Sequence, residues 1–142
     1  LPAFVQQASV AHAVFSPEVR HPVEVTAAQQ DHLGQWLSKR LDRPLKVPVL
    51  AALGYELVGG RLLPGDGGAR AQFMFQNPTG QRITLYLGAV DAKAAPETTF
   101  RYSSDGPVPS FYWVDNGFGY ALSGAVSREE LMRLAQLVHQ QL

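Results

Sequence analysis

Histidine is the side chain in this sequence best suited to proton transfer and metal binding near neutral pH. The chain has four of them, His12, His21, His32 and His139. None lies four residues from another, the spacing that presents two metal ligands on one helical face. The sequence therefore predicts neither a metal site nor a bound cofactor. His12 or His21 beside a carboxylate is kept as an alternative, the acid–base pair of a small hydrolase or isomerase.

Nucleophile and phosphate-binding motifs are incomplete. The segment Ala121–Gly124 lacks the first glycine of the G-x-S-x-G motif, and the chain has no cysteine. The glycine-rich stretch Gly59–Gly68 lacks the Gly-Lys-Ser/Thr ending of a phosphate loop and precedes a predicted strand, so we interpret it as a turn. The adjacent carboxylates Glu129 and Glu130 stand at a predicted helix start, where they offset the helix dipole. We predict no catalytic residue and a protein that is not an enzyme.

Aromatic side chains are concentrated in one predicted hairpin. The candidate residues for binding a protein partner are Phe111, Tyr112, Trp113, Phe118 and Tyr120. Strand alternation puts Phe111 and Trp113 on one side and Tyr112 on the other, so both sides of the hairpin are aromatic. If helices cover one side, the other presents an aromatic patch to a partner. The alternative is that these rings fill the core or stack across strands.

Composition limits the class of protein. The 142 residues are 46% hydrophobic and 17% charged, as in a single globular domain. Twelve basic and twelve acidic residues give no net charge, which argues against a nucleic-acid partner. No apolar run approaches the ~18 to 20 residues of a membrane span. The chain begins at Leu1 without an initiator Met or a signal sequence, so we expect it to be a piece of a longer protein.

The spacing of apolar and turn residues predicts an α+β fold. Residues 1–25, with three prolines and alternating valines, predict an extended arm. Residues 26–142 predict one domain: a helix that begins after a capping box at Thr26 and stops at Pro44, about five or six strands, and a terminal helix capped by Ser127. Tight turns join antiparallel strands, so we predict a single antiparallel sheet with the N-terminal and C-terminal helices packed on one face.

Four phrases of this sequence resemble the C-terminal extracytoplasmic domain of proteobacterial transmembrane anti-sigma factors. They are Ala11–Val25, Trp36–Leu41, Leu53–Pro64 and Phe111–Tyr120. The similarity runs from about residue 11 to the end of the chain and is specific in the order of the phrases. None of the phrases is a catalytic signature.

The resemblance implies a periplasmic sensory or regulatory domain of an inner-membrane protein. Such a protein has a short cytoplasmic domain, often with a histidine-and-cysteine zinc motif, that sequesters an extracytoplasmic-function sigma factor, and then a single membrane span. Those parts are not in this sequence, so the sigma factor and the membrane are expected partners only through them. A periplasmic protein regulator and a homodimer are left open. The alternative classes are a periplasmic small-ligand or lipid-binding domain and the hydrolase named above.

The arm, residues 1–25, is where a chain leaving a membrane would enter the domain. We expect it to lie near the bilayer and to couple changes in the folded domain to the span. Its candidate coupling residues are His12, Phe15, Arg20 and His21. The function that the resemblance implies is therefore non-enzymatic control of sigma-factor release.

Overall fold

The computed structural model describes residues 2–66, 68–91 and 98–142. Its strands are Val25–Thr26 (β1), Glu56–Gly65 (β2), Gly68–Gln76 (β3), Arg82–Ala89 (β4), Thr98–Ser103 (β5), Ser110–Asp115 (β6) and Phe118–Gly124 (β7). They form one antiparallel sheet of seven strands in the order β1-β2-β3-β4-β7-β6-β5. The helices are Pro2–Phe15 (α1), Gln30–Arg40 (α2) and Arg128–Gln141 (α3). The predicted α+β class is confirmed, with one short strand, β1, beyond the expected five or six.

Glycine shapes the sheet at two positions. The β6–β7 hairpin turns at Asn116 and Gly117, whose φ values of 51° and 76° are those of the tight turn that Asn-Gly predicts. In β2 the register against β3 shifts between Leu57 and Gly59, which is the bulge expected from the glycine pair. Gly59 has φ of 154°, and a Cβ there would collide with the carbonyl oxygen of Val25 in β1. The bulge thus lets the edge strand approach.

Helices α2 and α3 cover one side of the sheet, which we call the first face. They bury leucine-rich stripes there, Leu33 and Leu37 from α2 and Leu131, Leu134, Ala135 and Val138 from α3. These side chains join alternate strand residues such as Phe73, Leu85 and Leu122 in the main core. The prediction that these two helices share one face is confirmed.

Helix α1 covers the opposite side, which we call the second face. Its buried residues form a separate small cluster with Tyr86 and Ala121. The extended arm predicted for residues 1–25 is therefore wrong for Pro2–Phe15, which form 14 residues of helix. Pro2 occupies the start of α1, where a missing N–H costs nothing, and Pro17 follows its end. Residues 16–24 lie between α1 and β1, and no residue of that described segment belongs to a helix or strand.

Only one of the two predicted capping boxes forms its cap. The hydroxyl of Ser127 accepts a hydrogen bond from the backbone N–H of Glu130 at 3.1 Å and begins α3. Thr26 makes no side-chain cap, because Ala27–Gln29 form a 3-10 turn and α2 begins only at Gln30. Thr26 instead pairs with Gly59 at the sheet edge.

Candidate functional site

The aromatic hairpin lies inside the protein. Phe111 and Trp113 are each 2% exposed, Phe118 is 4% and Tyr120 is 9% exposed, all in the main core. Tyr112 is half-buried beside the α1 cluster on the second face. The exposed partner-binding patch predicted from these five rings is therefore wrong. Strand alternation directs four of them toward the face that α3 covers, and the core alternative is the one that the structure bears out.

Trp113 is the centre of this aromatic group. Its ring stacks on Tyr120 with 5.4 Å between ring centres. The edge-on ring of Phe100 lies 5.1 Å away, and the imidazole of His139 on α3 lies 6.1 Å away. Trp113 therefore ties β5, β6, β7 and α3 together, a structural role.

The candidate coupling residues belong to α1 and the segment after it. Helix α1 contains no Asp, Glu, Lys or Arg. Its buried apolar side chains are Phe4, Val5, Ala8 and Ala11. Helix α3 adds the partly buried Met132 and Leu137 to its four buried apolar side chains, so α1 removes less apolar surface from water than α3 does. The Phe4 ring meets Tyr86 of β4 edge-on, with 5.1 Å between ring centres.

His12 is a buried polar residue where the last turn of α1 contacts β4. It is 3% exposed, and its Nδ1 lies 2.8 Å from the hydroxyl oxygen of Thr84, within hydrogen-bond distance. Burial lowers the pKa of His12 from 6.5 to about 4. The imidazole is therefore neutral at pH 7, and α1 is docked with an uncharged His12.

Ser9 fixes another side of α1. Its hydroxyl donates to the carbonyl oxygen of Val108 and accepts from the backbone N–H of the same residue, each at 3.0 Å. A Cβ built on Gly106 would lie 2.6 Å from the Ser9 Cβ, so this loop runs directly against the helix. Ser9 thus joins α1 to the connection between β5 and β6.

Arg70 supports the first turn of α1 from β3. It is only 3% exposed, and its guanidinium donates to the carbonyl oxygens of Ala89 at 3.1 Å and Asp66 at 2.9 Å. The guanidinium carbon also lies 5.3 Å from the centre of the Phe4 ring. This is cation–π geometry, so the positive charge stabilises the position of Phe4.

Arg82 holds the chain immediately after α1. From β4 its Nη1 donates to the carbonyl oxygens of Ser16 at 2.8 Å and Glu18 at 2.6 Å. Its Nε donates to the side-chain oxygen of Gln76 at 2.7 Å, which orients the guanidinium. Arg82, the first residue of β4, thereby fixes the segment that follows α1 to the second face of the sheet.

Arg61 of β2 holds the same segment after α1, farther along the chain. Its Nη2 donates to the carbonyl oxygen of His21 at 2.9 Å, and its guanidinium carbon lies 3.6 Å from the centre of the Phe15 ring. The predicted coupling residues Phe15 and His21 therefore meet on one arginine of β2. Arg20 is exposed, as is the His21 side chain.

Several buried polar atoms around α1 have no hydrogen-bond partner among the described residues. They are Oε1 of Gln7, Nε2 of Gln72, and Nε of Arg61 and Arg70. Gln7 lies on α1, while Gln72 pairs across the sheet with Arg61 and with Tyr86 on the second face. A buried polar atom without a partner costs about 1–3 kcal/mol. The contact between α1 and the sheet therefore contains, beside its apolar cluster, buried polar atoms whose hydrogen bonds are not all made.

The local chemistry is that of a contact between helix and sheet that combines a small apolar cluster with a few polar anchors. Among the residues that the structure describes, no group of three or more His, Asp or Glu side chains is placed to hold a metal ion. His12 faces a hydroxyl, and the positive charges of Arg61 and Arg82 are directed at backbone carbonyls. Such an arrangement orders a chain segment. How firmly the segment is held depends on whether His12, Arg61 and Arg82 bind these protein groups or water.

The sequence alone predicts neither the helix that carries His12 and Phe15 nor the residues that these side chains contact. The signal for the helix was present: Phe4, Ala8, Ala11 and Phe15 stand at helical spacing. The partners Thr84, Arg82 and Arg61 are 72, 66 and 40 residues away from the groups they bind. No local sequence pattern predicts contacts between residues so far apart in the chain.

Comparison with known proteins gives no family. No protein-family model matches the chain, and a search of curated proteins finds no match. Within the described residues, none of the helices is both long and apolar enough to cross a bilayer.

Proposed function

We propose that this chain is the periplasmic regulatory domain of a single-span anti-sigma factor, and that it acts by binding and not by catalysis. The phrases Ala11–Val25, Trp36–Leu41, Leu53–Pro64 and Phe111–Tyr120, which resemble that family, support the class. The observation that carries the mechanism is the docking of α1 on the second face. His12 and Ser9 bind Thr84 and Val108, and the guanidinium groups of Arg61 and Arg70 lie over the Phe15 and Phe4 rings. In this proposal α1 is the coupling element.

The coupling works through the anchors of α1. In the full-length protein the membrane span precedes this chain, so α1 is the element nearest the bilayer. A change in the sheet that moves Thr84, Arg61 or Arg82 alters how firmly α1 and the following segment are held. The movement of α1 is then transmitted to the span and, through the span, to the cytoplasmic domain that holds the sigma factor.

The enzyme alternative requires His12 or His21 to work with a carboxylate. His12 is buried against Thr84 and has a pKa lowered to about 4 by burial. His21 is exposed on the segment after α1, with its carbonyl oxygen bound by Arg61. The two imidazoles thus lie in different environments. A general base that works near neutral pH needs a pKa nearer 7, so this geometry favours the regulatory proposal.

Affinity purification tests the proposed class. The coding sequence upstream of Leu1 is read, and the complete protein it encodes is purified from membranes with a C-terminal tag. We expect an apolar span of ~20 residues upstream and an extracytoplasmic-function sigma factor among the copurifying proteins. The isolated chain of residues 1–142 is the matched control and is expected to retain no sigma factor. An upstream sequence without a span, or sigma-factor binding by residues 1–142 alone, would contradict the proposal.

A further inference from the structure

We propose that α1 is a latch: it leaves the second face as a unit while the seven-stranded sheet, α2 and α3 stay folded. The release is a property of this chain and does not depend on the proposed function, whereas its use in signalling rests on that function. The inference comes from the contrast between the two faces of the sheet.

The two faces differ in how their helices are held. On the first face α3 contributes Leu131, Leu134, Ala135 and Val138 to the main core. On the second face α1 contributes a smaller cluster of its own. That cluster shares no buried residue with the main core. Removing α1 therefore leaves the core under α2 and α3 intact, which is the condition for local unfolding without global unfolding.

Hydration favours the released state on the second face. The side-chain atoms Gln7 Oε1, Gln72 Nε2, Arg61 Nε and Arg70 Nε are buried without partners while α1 is docked. Gln7 leaves the sheet with α1, and the guanidinium groups of Arg61 and Arg70 lose the Phe15 and Phe4 rings that lie over them, so release brings these groups toward water. His12 and Ser9 also exchange their protein partners for water, at little net loss because water offers hydrogen bonds in return. What chiefly opposes release is the modest apolar contact of Phe4, Val5 and two alanines.

The structure also places the hinge. The last backbone bond of the helical stretch runs from the Ser16 N–H to the His12 carbonyl oxygen. Beyond it, Arg82 binds the carbonyl oxygens of Ser16 and Glu18. Pro17 interrupts the helix at this point. Residues up to Phe15 are therefore free to leave while the segment from Ser16 onward stays on the sheet.

Hydrogen exchange of the complete 142-residue chain, followed by NMR or by mass spectrometry of peptides, tests the latch. We expect the hydrogen-bonded amides of α1 to exchange at least ~100-fold faster than those of β3, β4 and β7. After correction for intrinsic exchange rates, the α1 amides should share one opening free energy, because the helix leaves as a unit. Protection of α1 equal to that of the central strands would overturn the proposal, since α1 would then open only with the whole domain. This measurement needs no variant, so it stands even if a variant fails to fold.

A disulfide lock provides the matched control. The chain has no cysteine, so the double variant Ser9→Cys/Gly106→Cys contains one pair only. The Cβ positions lie 2.6 Å apart, closer than the usual ~3.8 Å of a disulfide, so the loop at Gly106 must move out by about an ångström. We expect the oxidised form to slow α1 exchange at least ~10-fold, and the reduced form and the single variant Ser9→Cys to exchange quickly. Unchanged α1 exchange in the fully oxidised form would also overturn the latch.

Discussion

Replacement of Trp113 by alanine is expected to lower the free energy of unfolding by about 4 kcal/mol. The ring is fully buried and contacts Tyr120, Phe100 and His139, so its removal leaves a large cavity among β5, β7 and α3. Urea denaturation followed by far-ultraviolet circular dichroism measures the change, because that signal does not depend on tryptophan. The midpoint should fall while the slope stays the same.

Trp36 offers the matched control for this substitution. It is the second of the two tryptophans, lies half-buried on α2, and stacks on His32 at the surface with 6.4 Å between ring centres. We expect Trp36→Ala to cost about 1 kcal/mol, because much of that ring already contacts water. A loss below 1 kcal/mol for Trp113→Ala would mean that the ring does not fill the core, and would revive the partner-binding interpretation of the hairpin.

Acidification is expected to weaken the fold through His12 by about 3 kcal/mol between pH 7.5 and pH 4. Burial lowers the pKa of His12 from 6.5 to about 4, so between these values the unfolded chain binds a proton that the folded chain does not. The contribution of a neutral His12 is therefore fully present above pH 6.5 and is lost as the pH falls toward 4. Because His12 lies on α1, its protonation first weakens the docking of that helix.

His12→Asn isolates this effect from the other titrating groups. Asparagine keeps a polar atom near the position of Nδ1 but does not titrate, while Glu18 and Arg82, which line the same surface cavity as His12, stay in place. The difference in the free energy of unfolding between wild type and variant, measured by urea denaturation at several pH values, should shrink as the pH falls from 7.5 to 4. A difference that is constant with pH would show that the pKa of His12 is not lowered by folding.

Local sequence patterns were sufficient for most of the sheet. The alternation around Phe73 and Phe75, the Asn-Gly turn at Asn116 and the glycine bulge in β2 each depend on neighbours in the chain, and the structure has all three. The cap at Ser127 is equally local. These features are set by backbone sterics and by the period of the side chains, which a single sequence displays directly.

The sequence alone does not predict the N-terminal helix, because two of its signals conflict. Pro17 and Pro22 and the spaced valines favoured an extended chain, whereas the helical spacing of Phe4, Ala8 and Ala11 was weak because alanine adds little hydrophobic contrast. What settles the conformation is tertiary: the second face offers Tyr86 and Ala121 to pack against. The polar anchors are tertiary too, since each joins residues at least 40 positions apart.

In the aromatic hairpin the local structure is predictable from the sequence, but the side that is buried is not. Its residue types and strand register followed from the sequence, but the side that α3 covers did not, because strand periodicity alone does not say which face is buried. Packing of His139 and the leucines of α3 decides it. Exposed binding residues on a strand can therefore be distinguished from core residues only when it is known which helices cover each face of the sheet.

The most direct measurement of coupling through α1 is sigma-dependent reporter transcription in cells that make the complete protein with the Ser9→Cys/Gly106→Cys lock. Reporter output is compared between cells that form periplasmic disulfides and cells that lack this oxidising capacity, under a treatment that activates the wild type. We predict that the formed disulfide, verified by a gel shift, suppresses activation several-fold relative to the same double variant in cells that do not form it. The wild type, which lacks the introduced pair, should respond equally in both backgrounds. Full activation with the disulfide quantitatively formed would contradict the role of α1 as the coupling element.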